Sequence, residues 1–156
     1  MTEATRGIGV GNPLREDDGV GVHAIEALEC MEIEEVDLVD GGEAGLALVS
    51  MFEGASRIVV IDCAKMGLSP GDIRVFRSES IKLDEVPDLH GARVSSAVQM
   101  GTALGLLPDD LLFIGVEPGR TGWGMSMSPE VESAIPVVCR KVVELLGERC
   151  NAVDPN

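Results

Sequence analysis

The chain has 156 residues, 12 basic against 27 acidic, with a formal net charge of −15. A field of that sign repels nucleic acid and anionic lipid, so neither nucleic-acid binding nor membrane insertion is expected; a cation, a basic partner or solubility alone would suit it. Hydrophobic residues make up 45% of the chain, with three Phe, one Trp and no Tyr, so one aliphatic core is expected rather than disorder.

The predicted elements alternate. Thr5 to Val10 reads as a first strand that runs into a turn rich in glycine and acids, Gly7 to Gly21. Gly19 to Glu29 has helical apolar spacing, and Asp17 or Asp18 is placed to cap it. Glu35 to Val39 is a second strand ending in the turn signal Asp40-Gly41-Gly42. Ala44 to Phe52 is a short helix. Ser56 to Ile61 is the strongest strand, apolar enough for burial on both faces, and Asp62 falls at its end. Asp72 to Arg77 follows the turn Ser69-Pro70-Gly71. Ser78 to Ala92, charged and containing Pro87, reads as a segment crossing the active face. Val94 to Leu106 is helical and Leu111 to Val116 is a strand. The last helix begins with Ser128 as cap and Pro129 in its first turn, and carries an apolar face to Leu146.

Such alternation predicts a single-domain open α/β sheet, doubly wound, with helices on both faces over residues 1–150, and a flexible tail at 151–156. One domain of this size supports its own core, so a monomer is expected. Cys30, Cys63, Cys139 and Cys150 have no metal-like spacing and read as buried free thiols. No long apolar run or leader is recognisable, so a cytoplasmic location is expected.

The glycine turn does not fit a dinucleotide site. Gly7, Gly9 and Gly11 miss the G-x-G-x-x-G spacing, and Glu16, Asp17 and Asp18 would oppose a pyrophosphate. Those acids suit a cation. In a doubly wound sheet Asp18, Asp62 and His90 can meet at one sheet edge. Two carboxylates and an imidazole suit a borderline divalent ion such as zinc or nickel and leave a coordination position open. Each has a plainer alternative: Asp18 as a helix cap, Asp62 as a loop anchor, His90 as a surface residue. Asp17 can stand in for Asp18, and His23, on the first helix, is the weaker candidate for the imidazole.

The residues from Gly9 to Gly21 resemble the motif G-x-G-N-x-L-x-x-D-[DE]-x-x-G of the nickel-iron hydrogenase maturation endopeptidases. Asp40 to Gly45 resembles that family's D-G-G-T-x-G loop, with Glu43 in place of Thr. Ile58 to Asp62 resembles its apolar strand ending in a metal-binding Asp. His90, Pro108 and Gly115-Val116-Glu117-Pro118 follow in the family's order, although Asp88-Leu89-His90 departs from S-x-H and Ser95, Ser96 and Gln99 make the following helix more polar. Met127 to Val131 resembles L-[ST]-P-x-V.

The resemblance implies an open α/β fold and an endopeptidase that removes a C-terminal extension from the nickel-loaded large-subunit precursor of a hydrogenase. It makes Asp18, Asp62 and His90 the metal-binding and catalytic residues. The metal would be nickel presented by the precursor, with another divalent ion as an alternative. Gly41, Gly42, Glu43 and Gly45 would contact the precursor, and the Met-rich loop around Trp123 would dock it, unless that loop packs over the last helix. A non-catalytic maturation chaperone binding the same precursor is the alternative function.

Overall fold

The computed structural model describes residues 4–77 and 93–152. Its centre is β3, Ala55–Cys63, whose side chains alternate between two buried faces. Val59, Ile61 and Cys63 face one apolar layer; Ile58 and Val60 face the other. Burial on both sides explains why this strand is continuously apolar in sequence.

Four more strands extend the sheet: β1 (Ala4–Val10), β2 (Val36–Gly42), β4 (Ile73–Arg77) and β5 (Asp110–Val116). The order is β2-β1-β3-β5-β4. All neighbours are parallel except β4, which runs antiparallel to β5. The sheet is therefore mixed. Its antiparallel edge follows from the short connection after β3, which is too brief for a helical crossover and reverses the chain at Ser69 to Asp72, where Asp72 N donates to Ser69 O.

Three helices and a 3-10 segment cover the sheet. On one face lie α1 (Val20–Cys30) and α3 (Pro129–Ala152). Val20, Ala24 and Leu28 of α1 meet Val131, Val138 and Val142 of α3 at helical spacing over Val59 and Ile61. On the other face lie the 3-10 segment Gly45–Phe52 and α2 (Arg93–Leu104). Leu48 and Phe52 pack there with Val94 and Ala97 over Ile58 and Val60. Helices on both faces agree with the fold read from sequence. Among the described residues no helix is long and apolar enough to cross a membrane.

Several local expectations change. The helix expected at Ala44 to Phe52 is a 3-10 segment, entered through Gly45 at a φ of +48°. The strand expected to end at Val39 continues to Gly42, so Asp40-Gly41-Gly42 is strand end rather than turn. The last helix continues to Ala152, past the start of the expected tail, with Pro136 inside it. Cys30 is exposed, whereas Cys63 and Cys139 are buried free thiols. The segment Ser78 to Ala92, and His90 with it, lies outside the described residues.

At the edge away from the site, buried Arg57 joins three elements. Its Nε and Nη2 donate to Asp110 Oδ2 at 3.3 and 3.0 Å, and its Nη1 donates to Leu145 O. It ties β3 and β5 to α3.

Candidate active site

The strand order reverses between β1 and β3. From β1 the chain crosses through α1 to β2 on one side, and then returns to β3 on the other side. The carboxyl ends of β1 and β3 therefore border the crevice where an open α/β sheet binds its ligand. Asp18 follows β1 and Asp62 lies near the end of β3, so both sequence candidates belong to this crevice.

Glycine lets the chain close around it. Gly11 has a φ of +131°, and a Cβ there would strike Asp18 O. Gly21, on the first turn of α1, sits against both strand ends: a Cβ would strike Ile61 O and lie 2.5 Å from Val10 O and 2.9 Å from Val10 N. Helix α1 thus starts within backbone contact of β1 and β3, which places the acid turn over the crevice.

The turn itself is a 3-10 element, Glu16–Gly19. Neither of its aspartates caps α1; the capping position is Gly19, which has no side chain to offer. Asp18, 1% exposed, instead accepts Asn12 N on Oδ2 at 2.9 Å, folding the glycine turn onto the carboxylate. Asp62, 2% exposed, accepts Cys63 N on Oδ1 at 2.8 Å.

Asp17 does not stand in for Asp18. It is fully buried and accepts four hydrogen bonds, from Ser128 N (2.7 Å), Ser128 Oγ (2.7 Å), Gly119 N (2.8 Å) and Arg120 N (2.9 Å). Burial raises its pKa, but the Ser128 hydroxyl and the three N–H groups outweigh burial and hold it below the ordinary carboxylate value. Ser128, expected only as a helix cap, gives its hydroxyl to Asp17, while its carbonyl accepts Glu132 N to open α3. Nothing in the sequence joins these two residues, which lie 111 positions apart.

Buried acids accumulate here. Asp17, Asp18, Asp62 and Glu117 are all buried, and Glu117 Oε1 anchors the loop after β3 by accepting Met66 N and Leu68 N at 2.7 and 2.9 Å. Their charge is felt at Cys63. Burial first, then Asp62, Asp18, Asp17 and Glu117, push its thiol far above the usual range. Cys63 is therefore a neutral thiol and no nucleophile. Among Cys30, Cys63 and Cys139, iodoacetamide should label Cys30 in the native protein and reach the other two only on unfolding, as peptide mass mapping would read.

The remaining candidates lie on segments that adjoin the turn between β1 and α1 or on α1 itself. Gly42 pairs with Val10, and its carbonyl accepts Gly11 N at 2.7 Å, so the Asp40-Gly41-Gly42 end of β2 adjoins the glycine turn. Gly41 is packed against β1, where a Cβ would come 3.0 Å from Val10 Cγ1 and 3.1 Å from Ile8 Cγ2. Glu43 is exposed just beyond, before Gly45. Trp123 is 75% exposed and Met125 is 77% exposed, so these two side chains do not pack over α3, whereas Met127, at the end of the loop, packs against the core layer that holds α3. Instead the Arg15 guanidinium lies over the Trp123 ring, 4.6 Å from its centroid. His23 Nδ1 faces Glu26 Oε2 on its own helix at 3.4 Å. Among the described residues no group of three or more His, Cys, Asp or Glu is placed to hold a metal ion; His90 is not among them.

The family model described as hydrogenase maturation protease matches residues 22–145. The chain belongs to the hydrogenase maturation protease family. The matched span contains Asp62 and His90 and begins just after Asp18. The hydrogenase expression/formation protein HupD of Bradyrhizobium diazoefficiens is 34% identical over 152 residues, covering 90% of this chain and 77% of that protein. The hydrogenase 3 maturation protease of Escherichia coli is 25% identical over 136 residues, covering 85% of each chain. Among solved structures, the hydrogenase maturating endopeptidase HybD from E. coli superposes with a TM-score of 0.83 at 26% identity, covering 94% of this chain and 93% of that one. This hydrogenase maturation protease is accordingly an endopeptidase with the fold of its relatives.

Proposed function

We propose that this protease removes a C-terminal extension from the nickel-loaded large-subunit precursor of a nickel-iron hydrogenase, acting as a monomer in the cytoplasm. The observation that carries this reading is the pair of buried carboxylates, Asp18 and Asp62, at the crevice of a chain that belongs to the maturation protease family. Hard, anionic oxygen donors in a site walled by apolar strands suit a divalent cation.

In this reading nickel belongs to the substrate. Asp18, Asp62 and His90 would hold it, which aligns the precursor chain with the crevice. A bound divalent ion supplies polarisation of the scissile carbonyl or of water. The carboxylates hold the cation and one of them can accept the proton of an attacking water. Gly42 leaves backbone room beside the crevice, and Gly41, Glu43, Gly45 and Trp123 contact the precursor around the cut.

Incubation with nickel-loaded and nickel-free precursor tests the reading, with C-terminal mass as readout. Cleavage of the loaded form alone is expected. Equal cleavage of both forms would count against nickel recognition, and binding without cleavage of either would favour a chaperone.

A further inference from the structure

The turn that carries Asp18 and the loop that carries Trp123 are bonded as one unit. Glu16 N donates to Gly124 O at 2.9 Å, Gly124 N to Leu14 O at 2.8 Å, and Asp17 N to Arg120 O at 3.1 Å. Gly122 N donates to Glu16 Oε2 at 3.1 Å. These bonds hold Glu16 in the left-handed region, at a φ of +51°, a conformation a non-glycine residue keeps only when its surroundings impose it. Asp17 closes the unit from inside. Its carboxylate grips Gly119, Arg120 and Ser128, the two ends of the loop from 119 to 128, while its backbone belongs to the same 3-10 turn as Asp18. Gly119 lets the loop come this close, since a Cβ there would lie 3.0 Å from Ser128 Oγ.

We propose that Asp17 is a positioning residue for the cleavage reaction: by clamping the 119–128 loop it fixes Asp18 at the crevice and Trp123 at its rim in one geometry. Precursor contact at the Trp123 loop and the placement of Asp18 are then coupled. The proposal rests on the function proposed above, because it takes Asp18 to face the scissile bond. Misplacing a reacting group by about 1 Å costs roughly a hundredfold in rate, so a released clamp should be visible in turnover even when the fold survives.

Trp123 is the only tryptophan of the chain, so tryptophan emission reports this loop alone. The test compares the full-length protein with Asp17→Asn and Ser128→Ala. Acrylamide quenching and emission anisotropy of Trp123 are measured beside kcat and KM for nickel-loaded precursor, per folded molecule, below the melting transition. Both variants are expected to quench faster and to lose anisotropy. Asp17→Asn should lose roughly tenfold or more in kcat with a raised KM, and Ser128→Ala less, because it keeps the three N–H donors. A purely stabilising carboxylate would lower the melting temperature and leave kcat per folded molecule unchanged.

Unchanged kcat in a folded variant whose Trp123 is loosened overturns the coupling. An unchanged Trp123 signal overturns the clamp. Should Asp17→Asn not fold, Ser128→Ala decides by the same two readings. Absence of cleavage by the unaltered protein overturns the peptidase reading instead. Precursor affinity then replaces kcat: weaker binding in the variants supports the clamp, and equal binding overturns it.

Discussion

Asp18→Asn and Asp62→Asn are each expected to abolish precursor cleavage, by a factor of about a hundred or more, while the protein still folds. Asn keeps a carbonyl oxygen able to accept the backbone bonds from Asn12 N and from Cys63 N. It removes the negative charge, which a cation or an attacking water requires. Cleavage is read by C-terminal mass and folding by circular dichroism. On the proposed reading the two carboxylates act together, so the double variant should be little worse than either single one. Wild-type rates in both single variants would remove Asp18 and Asp62 from the reaction. Loss of cleavage with precursor binding retained would assign them to the cutting step rather than to docking.

Gly21→Ala should be the most damaging small substitution. Helix propensity alone favours alanine over glycine by about 1 kcal/mol. Packing opposes it more strongly. The added methyl would meet three backbone atoms, Ile61 O, Val10 O and Val10 N, none of which can swing aside as a flexible side chain would. Helix α1 must then lift from the strand ends, at a cost of about 3 kcal/mol or more. For a domain of this size that is a fall in Tm of roughly 10 °C. Activity should fall with it, because the lifted helix carries the acid turn away from β3. Gly147→Ala supplies the control. Gly147 is in α3 with nothing within 4 Å of a Cβ, so propensity should win there and raise stability by about 0.5–1 kcal/mol. Equal Tm shifts in the two variants would refute the packing account.

The elements were legible because their patterns are local. Apolar runs at Ile58 to Ile61 and Leu111 to Val116 mark strands buried on both faces, and the three-to-four spacing from Val131 to Leu146 marks a helix with one buried face. Their exact ends were less legible. Asp40-Gly41-Gly42 looks like a turn, yet pairing with β1 extends β2 through it, because hydrogen bonds to a neighbouring strand override a local turn preference. The 3-10 form of Gly45–Phe52 likewise depends on how Leu48, Val49 and Phe52 reach the second core layer.

Within the site, chemistry and placement separate. Spacing alone made Asp17 and Asp18 nearly interchangeable, since both are short acids at a helix start. The fold distinguishes them by direction: Asp17 turns toward Gly119 and Ser128, and Asp18 toward Asn12 at the crevice. Trp123 could have been a core or a surface residue until its exposure above Arg15 decided it.

By itself the sequence determined the layered α/β architecture, the acid-lined turn after the first strand and the second Asp at the end of the third. These follow from periodicity and from residue types within a few positions of one another. Only the tertiary structure decided that the strand order reverses between β1 and β3, that glycine contacts seat α1 against both, and that Asp17 belongs to a clamp with Ser128. The physical reason is range. Each of these depends on backbone approach between segments far apart in the chain, and such contacts leave no period or spacing to read.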